Sequence, residues 1–335
     1  MINAAVIGCG YWGPNLIRNF YETDGVNLIS CCDLQRQRLD YIKKRYPSVV
    51  ITSDYMEILT DSNVDAVIIA TPISTHFQIA KKALLNGKHV LIEKPMTKDS
   101  SEAKELIEIS KKQNKVLMVD HIFVYSPAVR KIKDIVLNGE IGDIYYIDSV
   151  RVNLGLFQHD MNVIWDLAPH DISIIDYILD KKPNSVSAIG SCHVGNGIEN
   201  IAYMHINYDN NLIAHTHVNW LAPVKVRTTL IGGSKKMIVY DDVEPSEKVK
   251  VYSKGVDIKN GPEDRYKMLI DYRSGDMYAP KIEQKEALKE VCRHFIDCIN
   301  DNRSPITDGQ AGLRVVEILE AAQTSIKNNG AVIKL

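Results

Sequence analysis

The 335-residue chain lacks the features that mark disulfide-rich, membrane-spanning and exported proteins. Its six cysteines form no CxxC pair and no framework spacing, which excludes a disulfide-stapled scaffold and favours reduced, buried thiols. No apolar run approaches the ~18 residues of a membrane span. No basic residue precedes Arg18, and glycines interrupt the N-terminal apolar run, so we expect no signal peptide. A cytoplasmic protein is the expectation that follows.

The chain also lacks an excess of charge of either sign. Its 40 Lys and Arg residues nearly balance its 42 Asp and Glu residues, for a formal net charge of -2. Such a chain has no overall field to hold a polyanion or an acidic lipid surface, so neither nucleic acid nor a membrane is an expected partner. The 45% hydrophobic and 24% charged residues are typical of a folded globular protein, and the length predicts two domains.

Short apolar runs alternate with longer amphipathic segments from residue 2 to about residue 120. This alternation predicts a parallel sheet covered by helices on both faces, a doubly wound α/β domain over residues 1–120. From about residue 140, strand-like segments follow one another, separated by turn clusters such as Asp209-Asn210-Asn211. They predict an open, mostly antiparallel sheet in a second, α+β domain over residues 121–335, with helices near residues 282–300 and 308–328.

A glycine-rich turn joins the first predicted strand to the first predicted helix, with the sequence Gly8-Cys9-Gly10-Tyr11-Trp12-Gly13. In a GxGxxG turn the first glycine permits the tight turn, the second lets a pyrophosphate approach the backbone, and the third lets the helix pack closely on the strand. The start of the following helix then presents unpaired N–H groups to the phosphates. This turn predicts a dinucleotide-binding Rossmann domain; simple turn glycines are the alternative.

Asp33 lies 20 residues after Gly13, at the end of the second predicted strand. A carboxylate at this point can accept hydrogen bonds from the ribose hydroxyls and repels the additional phosphate of NADP. The sequence therefore predicts NAD as the cofactor. Arg36 and Arg38 leave an alternative open, because an arginine nearby can hold a 2′-phosphate.

Two further motifs carry groups suited to chemistry at a hydroxyl. Glu93-Lys94-Pro95 ends the fifth predicted strand, where the lysine can donate to a substrate oxygen and stabilise negative charge; a surface lysine before a turn proline is the alternative. Asp166 and His170 are four residues apart in a helical run. That spacing suits a general base held by a carboxylate and, equally, an ordinary surface ion pair.

No metal site is predicted. His215 and His217 share a strand face, but no third ligand is evident in the sequence. Because structural and catalytic metal sites use three or more protein ligands, half-buried histidines of a sheet are the better interpretation.

The sequence resembles the Gfo/Idh/MocA oxidoreductases over essentially its whole length. The resemblance rests on the three glycines of the turn and on Ala70-Thr71-Pro72 with His76, Glu93-Lys94-Pro95, and Asp166-x-x-x-His170. It implies a Rossmann domain followed by an open-sheet domain, and hydride transfer between a sugar or cyclitol carbon and the nicotinamide of NAD. Because the outer face of that sheet commonly forms subunit interfaces in the family, it also implies a homodimer or homotetramer.

The resemblance also implies roles for individual residues. Lys94 matches the lysine that polarises the reacting hydroxyl, His170 matches the acid/base, and Asp166 matches the carboxylate that supports them. Contacts to the cofactor are implied for the glycine turn with Tyr11 and Trp12, for Asp33, and for Thr71, Pro72, His76 and Glu93.

Departures from the family pattern bear on the substrate. After the sixth strand many members carry a G-x-N-x-R-F stretch, whereas this chain continues from Asp120-His121 without the arginine, and Ala168-Pro169 precedes His170. These variants resemble the subgroup that acts on C3 of nucleotide-linked hexoses. Candidate ligands for a diphosphate, with solvated strand-face side chains as the alternative, are Arg151, Asn153, Lys225 and Arg227.

The sequence thus predicts an NAD-dependent dehydrogenase that transfers a hydride between nicotinamide and a ring carbon of a nucleotide-linked hexose in glycan biosynthesis. A free-sugar or inositol dehydrogenase is the alternative among enzymes. An NAD(H)-binding regulator without turnover is the alternative of another class. A protein that only binds the cofactor would not need Lys94, Asp166 and His170 together.

Overall fold

The computed structural model describes residues 1–155, 157, 161–195, 197–258 and 270–335. The chain forms two compact units, and each draws on separate stretches of sequence. The first unit consists of Met1–Ser126 and Lys285–Glu320, and the second of Pro127–Gln284 and Ala321–Leu335. These units differ from the predicted domains, 1–120 and 121–335, mainly in residues 285–320, which belong to the first unit.

A parallel sheet forms the centre of the first unit. Its strands are β1 (Ile2–Ile7), β2 (Val26–Cys32), β3 (Val50–Thr52), β4 (Ala66–Ile69), β5 (His89–Glu93) and β6 (Leu117–Asp120). They lie in the order β3-β2-β1-β4-β5-β6, which is the order of a dinucleotide-binding Rossmann sheet and confirms the predicted fold. Strand β4 is buried over its whole length, as expected when helices cover both faces of a parallel sheet. Because the strand order reverses between β1 and β4, the carboxyl ends of these strands flank the crevice in which such sheets bind ligands.

The helices begin and end at residues whose chemistry suits a helix terminus. Along the chain they are α1 (Gly13–Glu22), α2 (Arg36–Arg45), α3 (Tyr55–Thr60), α4 (Ile73–Leu85), α5 (Ser100–Lys112), α6 (Pro127–Leu137), α7 (Val163–Leu179), α8 (Ala287–Asn300) and α9 (Gly309–Lys327). The carboxylate of Asp99 caps α5 by accepting a hydrogen bond from the N–H of Glu102 at 2.9 Å. Helix α4 ends before Gly87, whose φ of +73° is a left-handed conformation that favours glycine. Both termini therefore lie where these residue types favour a helix boundary.

Helix α8 packs with the first unit although it lies far along the chain. The rings of Phe20 and Phe295 meet edge to face with centroids 6.3 Å apart. The side-chain amide of Asn19 donates to Glu286 at 3.1 Å. Beyond α8, the hydroxyl of Thr307 donates to a carbonyl of β6 at 2.7 Å. Amphipathic periodicity predicts the helix but does not show which sheet it covers.

The second unit is built on a mixed sheet. Its strands, and those of a separate pair, are β7 (Ile144–Leu154), β8 (Ser185–Ser191), β9 (Ile201–Asn207), β10 (Ile213–Asn219), β11 (Leu221–Gly233), β12 (Met237–Asp241), β13 (Val249–Tyr252), β14 (Gly255–Ile258), β15 (Ile270–Arg273), β16 (Met277–Tyr278) and β17 (Ile333–Lys334). The larger sheet has the order β16-β13-β12-β11-β7-β10-β9-β8-β17, and β14 pairs with β15. Only β10 and β7 run parallel among the described pairs of this sheet, so the prediction of a mostly antiparallel sheet is confirmed. Helix α7 packs on β7, β9 and β10.

The structure also bears on the expected burial of the cysteines and on the expected absence of membrane-spanning segments. Five of the six cysteines are buried and free, as expected, whereas Cys192 is exposed, contrary to the expectation of buried thiols. No helix in the described part of the chain combines the length and the apolar character needed to cross a bilayer.

Candidate active site

The three glycines of the turn between β1 and α1 are required for different reasons. A Cβ atom at Gly8, whose φ is +102°, would lie 2.4 Å from the carbonyl oxygen of Ala70, and one at Gly13 would lie 2.1 Å from the carbonyl oxygen of Gly8. At Gly10 it would meet only the end of the Arg38 side chain, at an ordinary 3.6 Å. The packing of the chain therefore requires Gly8 and Gly13, whereas the open space at Gly10 fits the close approach of a pyrophosphate.

The start of α1 also fits an anionic group. Trp12 occupies the N-cap position without a side-chain capping hydrogen bond, and the first turn of the helix contains no acidic residue. The N–H groups at this end and the positive end of the helix dipole can therefore serve a phosphate. Tyr11 is 87% exposed and Trp12 is partly buried in the same turn. The residues present thus fit NAD.

Asp33 links the glycine turn to the end of β2. Its Oδ2 accepts a hydrogen bond from the N–H of Cys9 at 2.8 Å, and its Oδ1 accepts one from the N–H of Gln35 at 2.8 Å. The side chain is only 8% exposed. Nη1 of Arg38 lies 3.4 Å from Oδ2, whereas Arg36 pairs with a carboxylate on its own helix. Of the two arginines that bear on the choice between NAD and NADP, Arg38 is therefore the one beside the carboxylate.

His76 joins the turn after β4 to the segment after β5. Its Nδ1 lies 3.0 Å from the carbonyl oxygen of Pro95, and its Nε2 lies 2.7 Å from the carbonyl oxygen of Thr71. The ring is buried, and burial lowers the pKa of His76. Thr71 is half-buried and Pro72 is exposed at the same edge of the sheet. The structure thus places His76 behind this turn as a link between two backbone segments, and its contact with the cofactor stays a prediction.

Strands β5 and β6 end side by side, with Glu93 opposite Asp120. Burial and the neighbouring Asp120 raise the pKa of Glu93 well above its usual range. Burial also raises the pKa of Asp120 to about 6, against the lowering effects of Glu93, Trp12 and Lys94. Lys94 directly follows Glu93, and the peptide bond between Lys94 and Pro95 is cis. Its ammonium group lowers the pKa of both carboxyl groups, so the three side chains form one cluster at the carboxyl edge of the sheet.

Asp120 and His121 are residues of this cluster that the sequence analysis noted only as a departure from the family pattern. Burial, followed by the charges of Lys94 and Arg314, lowers the pKa of His121 to about 3, so its imidazole is neutral near pH 7. A signal for both residues was present in the sequence. They directly follow the apolar residues 117–119 of β6, at the edge where Glu93 and Lys94 lie, and polar residues at this edge face the ligand crevice of a doubly wound sheet.

Helix α7 carries Asp166 and His170 in the second unit. It begins at Val163, where the side chain of Asn162 accepts a hydrogen bond from the N–H of Trp165 at 3.1 Å and so caps the helix. Asp166 and His170 are therefore one turn apart on the same helix. Oδ2 of Asp166 accepts a hydrogen bond from the indole N–H of Trp220 at 3.0 Å, which fixes the carboxylate against the sheet.

The structure places Arg151 in a buried ion pair. This residue is 3% exposed, and its guanidinium group forms a two-point ion pair with Asp171, with Nε 2.8 Å from Oδ2 and Nη2 3.1 Å from Oδ1. The hydroxyl of Ser149 also donates to Asp171 at 2.8 Å. Two of its nitrogen atoms are thus committed to a buried carboxylate, and its contact with a diphosphate stays a prediction. Arg151 therefore joins α7 to the sheet.

The other candidate diphosphate ligands lie in less regular surroundings. Arg227 pairs with Asp242 at 3.2 Å and its side chain is 30% exposed. The register of β11 shifts between Leu221 and Val226, so Lys225 lies in an irregular stretch, where it is exposed. Residues two apart share a face only in a regular strand, so the spacing of Lys225 and Arg227 does not by itself place them on one face. Asn153 lies half-buried near the end of β7.

The histidines of β10 make contacts within the sheet. Nδ1 of His215 lies 2.7 Å from Oδ1 of Asp148, and the ring of His217 stacks on Tyr203 with centroids 4.4 Å apart. Within the described ranges, no group of three or more His, Cys, Asp or Glu side chains could hold a metal ion.

Two family models match the chain. One describes the NAD-binding Rossmann fold of an oxidoreductase family and matches residues 2–121. The other describes the GFO/IDH/MocA C-terminal domain and matches residues 129–239.

Individual relatives show similarity along most of the chain. The UDP-N-acetylglucosamine 3-dehydrogenase of Acidithiobacillus ferrooxidans is 29% identical over 258 residues, which cover 76% of each chain. The NAD(+)-dependent scyllo-inositol 2-dehydrogenase of Bacillus subtilis is 25% identical over 341 residues, which cover 98% of this chain and 94% of the relative. A solved structure of the Acidithiobacillus enzyme superposes with a TM-score of 0.82 at 24% identity and covers 98% of each chain.

Proposed function

Because the chain belongs to the Gfo/Idh/MocA oxidoreductase family, we propose that it is an NAD-dependent dehydrogenase acting on a nucleotide-linked hexose, with C3 as the reacting carbon. The coarser description, an NAD-binding oxidoreductase of sugars or polyols, follows from the family itself. The observation that carries the proposal is the position of Lys94 at the carboxyl end of β5, in the same unit as the glycine turn and Asp33. A lysine at this edge of a dinucleotide-binding sheet can polarise an oxygen near the cofactor.

The proposed chemistry gives each of three side chains one task. Lys94 donates a hydrogen bond to the oxygen of the reacting hydroxyl and stabilises its negative charge as the proton leaves. His170 takes that proton, and Asp166, held by the indole N–H of Trp220, orients His170 on the helix they share. The glycine turn and Asp33 would hold NAD, whose nicotinamide would supply the acceptor for the hydride of the carbon that bears this oxygen, so that the alcohol would become a ketone.

The nucleotide-linked substrate is the finer part of the proposal. It is supported by the 29% identity to a UDP-N-acetylglucosamine 3-dehydrogenase and by two cations of the second unit, the exposed Lys225 and the partly exposed Arg227. A specific observation favours a second candidate, an inositol dehydrogenase, because the similarity to the scyllo-inositol enzyme spans 98% of this chain.

A panel of ligands separates these candidates. Thermal unfolding is measured with nucleotide sugars, free sugars and inositols, each in the presence of NAD or NADH, and the stabilising compounds are then tested for turnover. Binding to the native state alone raises its stability by mass action. The proposal expects the largest shift and the highest kcat/KM with a nucleotide sugar; faster turnover of free inositol or glucose would contradict it.

Variants of the two cations test the recognition of the nucleotide. Lys225→Ala and Arg227→Ala should each raise KM for the nucleotide sugar by roughly tenfold or more, because a charge-assisted contact contributes about 1.5–3 kcal/mol. Turnover of a free sugar should not change. Lys181→Ala is a matched control, since it removes an exposed cation from the same unit. If KM is unchanged in both test variants, Lys225 and Arg227 do not bind the diphosphate.

The proposal also includes a homodimer or homotetramer that uses the sheet of the second unit. Helix α7 covers one face of this sheet. Exposed apolar side chains lie on β8, β9 and β10: Ile189 is 63%, Tyr203 45% and Ile213 46% exposed. Exposed apolar side chains on the strands of a sheet are typical of a protein interface, and the resemblance to the family implies that this face is used.

A further inference from the structure

Two carboxyl groups meet at the carboxyl edge of the parallel sheet in the first unit. Glu93 and Asp120 are direct neighbours in the register of β5 and β6, at the last residue of each strand. Asp120 is 2% exposed, and Oε1 of Glu93 is buried. Two ionised carboxylates at neighbouring positions, with Asp120 buried and Glu93 partly buried, would repel each other strongly.

The surrounding hydrogen bonds do not relieve this repulsion. Among the residues that the structure describes, neither oxygen of Asp120 has a partner with the geometry of an ordinary hydrogen bond, and the same holds for Oε1 of Glu93; the indole of Trp12 is near enough to lower the pKa of Asp120 but leaves it above its usual value. Buried acceptors are almost always paired with a donor. A single proton shared by the two carboxyl groups supplies the missing donor, and burial favours this state by raising the pKa of each group.

We infer that Glu93 and Asp120 form a proton-sharing pair that positions Lys94. Near neutral pH the pair carries one proton and one negative charge, and that charge attracts the ammonium group of Lys94 and directs it at the oxygen of the substrate. This inference rests on the proposed role of Lys94 and adds Asp120, which the sequence analysis does not assign, as a positioning residue.

The other groups that face the pair come from several elements. Trp12 of the glycine turn lowers the pKa of Asp120, and His121 follows Asp120 in the chain. On α8, burial and then the charge of Asp120 raise the pKa of the Cys292 thiol. Arg314 of α9 lies near His121, and His76 lies near Lys94. Of these groups, Lys94 is the cation whose charge lowers the pKa of both carboxyl groups.

Amide variants test the pair because a carboxamide has the shape and the donor of a protonated carboxyl group. Glu93→Gln and Asp120→Asn each leave one carboxylate, so each keeps a single negative charge beside Lys94. The double variant removes that charge. Asp24→Asn is the control, because it removes a carboxylate from an exposed turn of the same unit.

The first measurement is the infrared spectrum of the whole chain near neutral pH, without cofactor or substrate. We expect the wild type to show the C=O band of a buried protonated carboxyl group, and we expect both single variants, but not Asp24→Asn, to lose it. If the band is absent from the wild type, or persists in either single variant, the inference is wrong. This measurement remains decisive if the double variant does not fold.

The second measurement is the acetylation rate of Lys94 by acetic anhydride, read by mass spectrometry, because only the deprotonated amine reacts. At about pH 8 we expect rates within ~2-fold of the wild type in both single variants and about 10-fold higher in the double variant, because an adjacent opposite charge shifts a titration by about one unit or more. If each single variant instead produces half of the effect of the double, the pair carries two charges and the inference fails. Neither measurement depends on turnover, so each is independent of the identity of the substrate.

Discussion

Asp33→Ala should shift the cofactor preference from NAD toward NADP. In the wild type the carboxylate accepts hydrogen bonds from the N–H groups of Cys9 and Gln35, and Arg38 lies 3.4 Å away. Removing it leaves two backbone N–H groups and a guanidinium group around the place where the 2′ group of the adenosine ribose is expected. Such a set of donors suits a phosphate group.

The expected size follows from the contacts that are exchanged. Loss of a charge-assisted hydrogen bond to the ribose costs about 1.5–3 kcal/mol, which raises the Kd for NADH by roughly 10- to 150-fold. The affinity for NADPH should increase by a similar factor, because the carboxylate that repels the 2′-phosphate is gone and the side chain of Arg38 can bind that phosphate instead. The ratio of the two dissociation constants should therefore change by ~100-fold or more.

Fluorescence titration with NADH and NADPH measures both constants, and thermal unfolding without cofactor shows whether the glycine turn itself has been damaged. The double variant Asp33→Ala/Arg38→Ala should lose most of the gain in NADPH affinity. Arg36→Ala is the matched control, since this exposed arginine of α2 pairs on its own helix. The reasoning is refuted if the wild type binds NADPH more tightly than NADH, or if Asp33→Ala leaves the ratio unchanged.

Three further expectations concern turnover, stability and assembly. Lys94→Ala and His170→Ala should each lower kcat by at least ~100-fold in steady-state kinetics, while titration shows a nearly unchanged Kd for NADH. Asp166→Asn should lower kcat less. A variant with full turnover would exclude the substituted residue from the mechanism. Asp171→Ala should lower the free energy of unfolding by about 3–5 kcal/mol in denaturant titrations, because it leaves the buried guanidinium group of Arg151 without its ion pair; a loss under ~1 kcal/mol would contradict that role. Tyr203→Glu should convert the proposed oligomer to monomers, as measured by light scattering, and a monomeric wild type would exclude the interface.

Much of the fold and part of the candidate site can be predicted from the sequence, since they depend on local chemistry. Apolar runs such as Ala66–Ile69 predict buried parallel strands, and the strand formed is buried throughout. The glycine turn predicts its own geometry, because Gly8 has the positive φ that the turn requires. The number of residues between Gly13 and Asp33 corresponds to one helix and one strand. This spacing brings the carboxylate of Asp33 to the turn, where it accepts a hydrogen bond from the N–H of Cys9. Short elements have weaker sequence patterns, and the pattern predicts neither the three-residue strand β3 nor the six-residue helix α3.

Pairs of residues from distant segments depended on the tertiary structure alone. Arg151 has the sequence pattern of a strand-face cation, but the packing of α7 on β7 places Asp171 against it and removes it from the surface. Glu93 and Asp120 become neighbours only through the register of β5 and β6, and residues 285–320 join the first unit only through contacts such as Phe20 with Phe295. The sequence of each segment determines its periodicity and its buried face. Which charge meets which partner depends on how separate segments pack, and burial then determines whether that partner leaves a group ionised, neutral or available to a ligand.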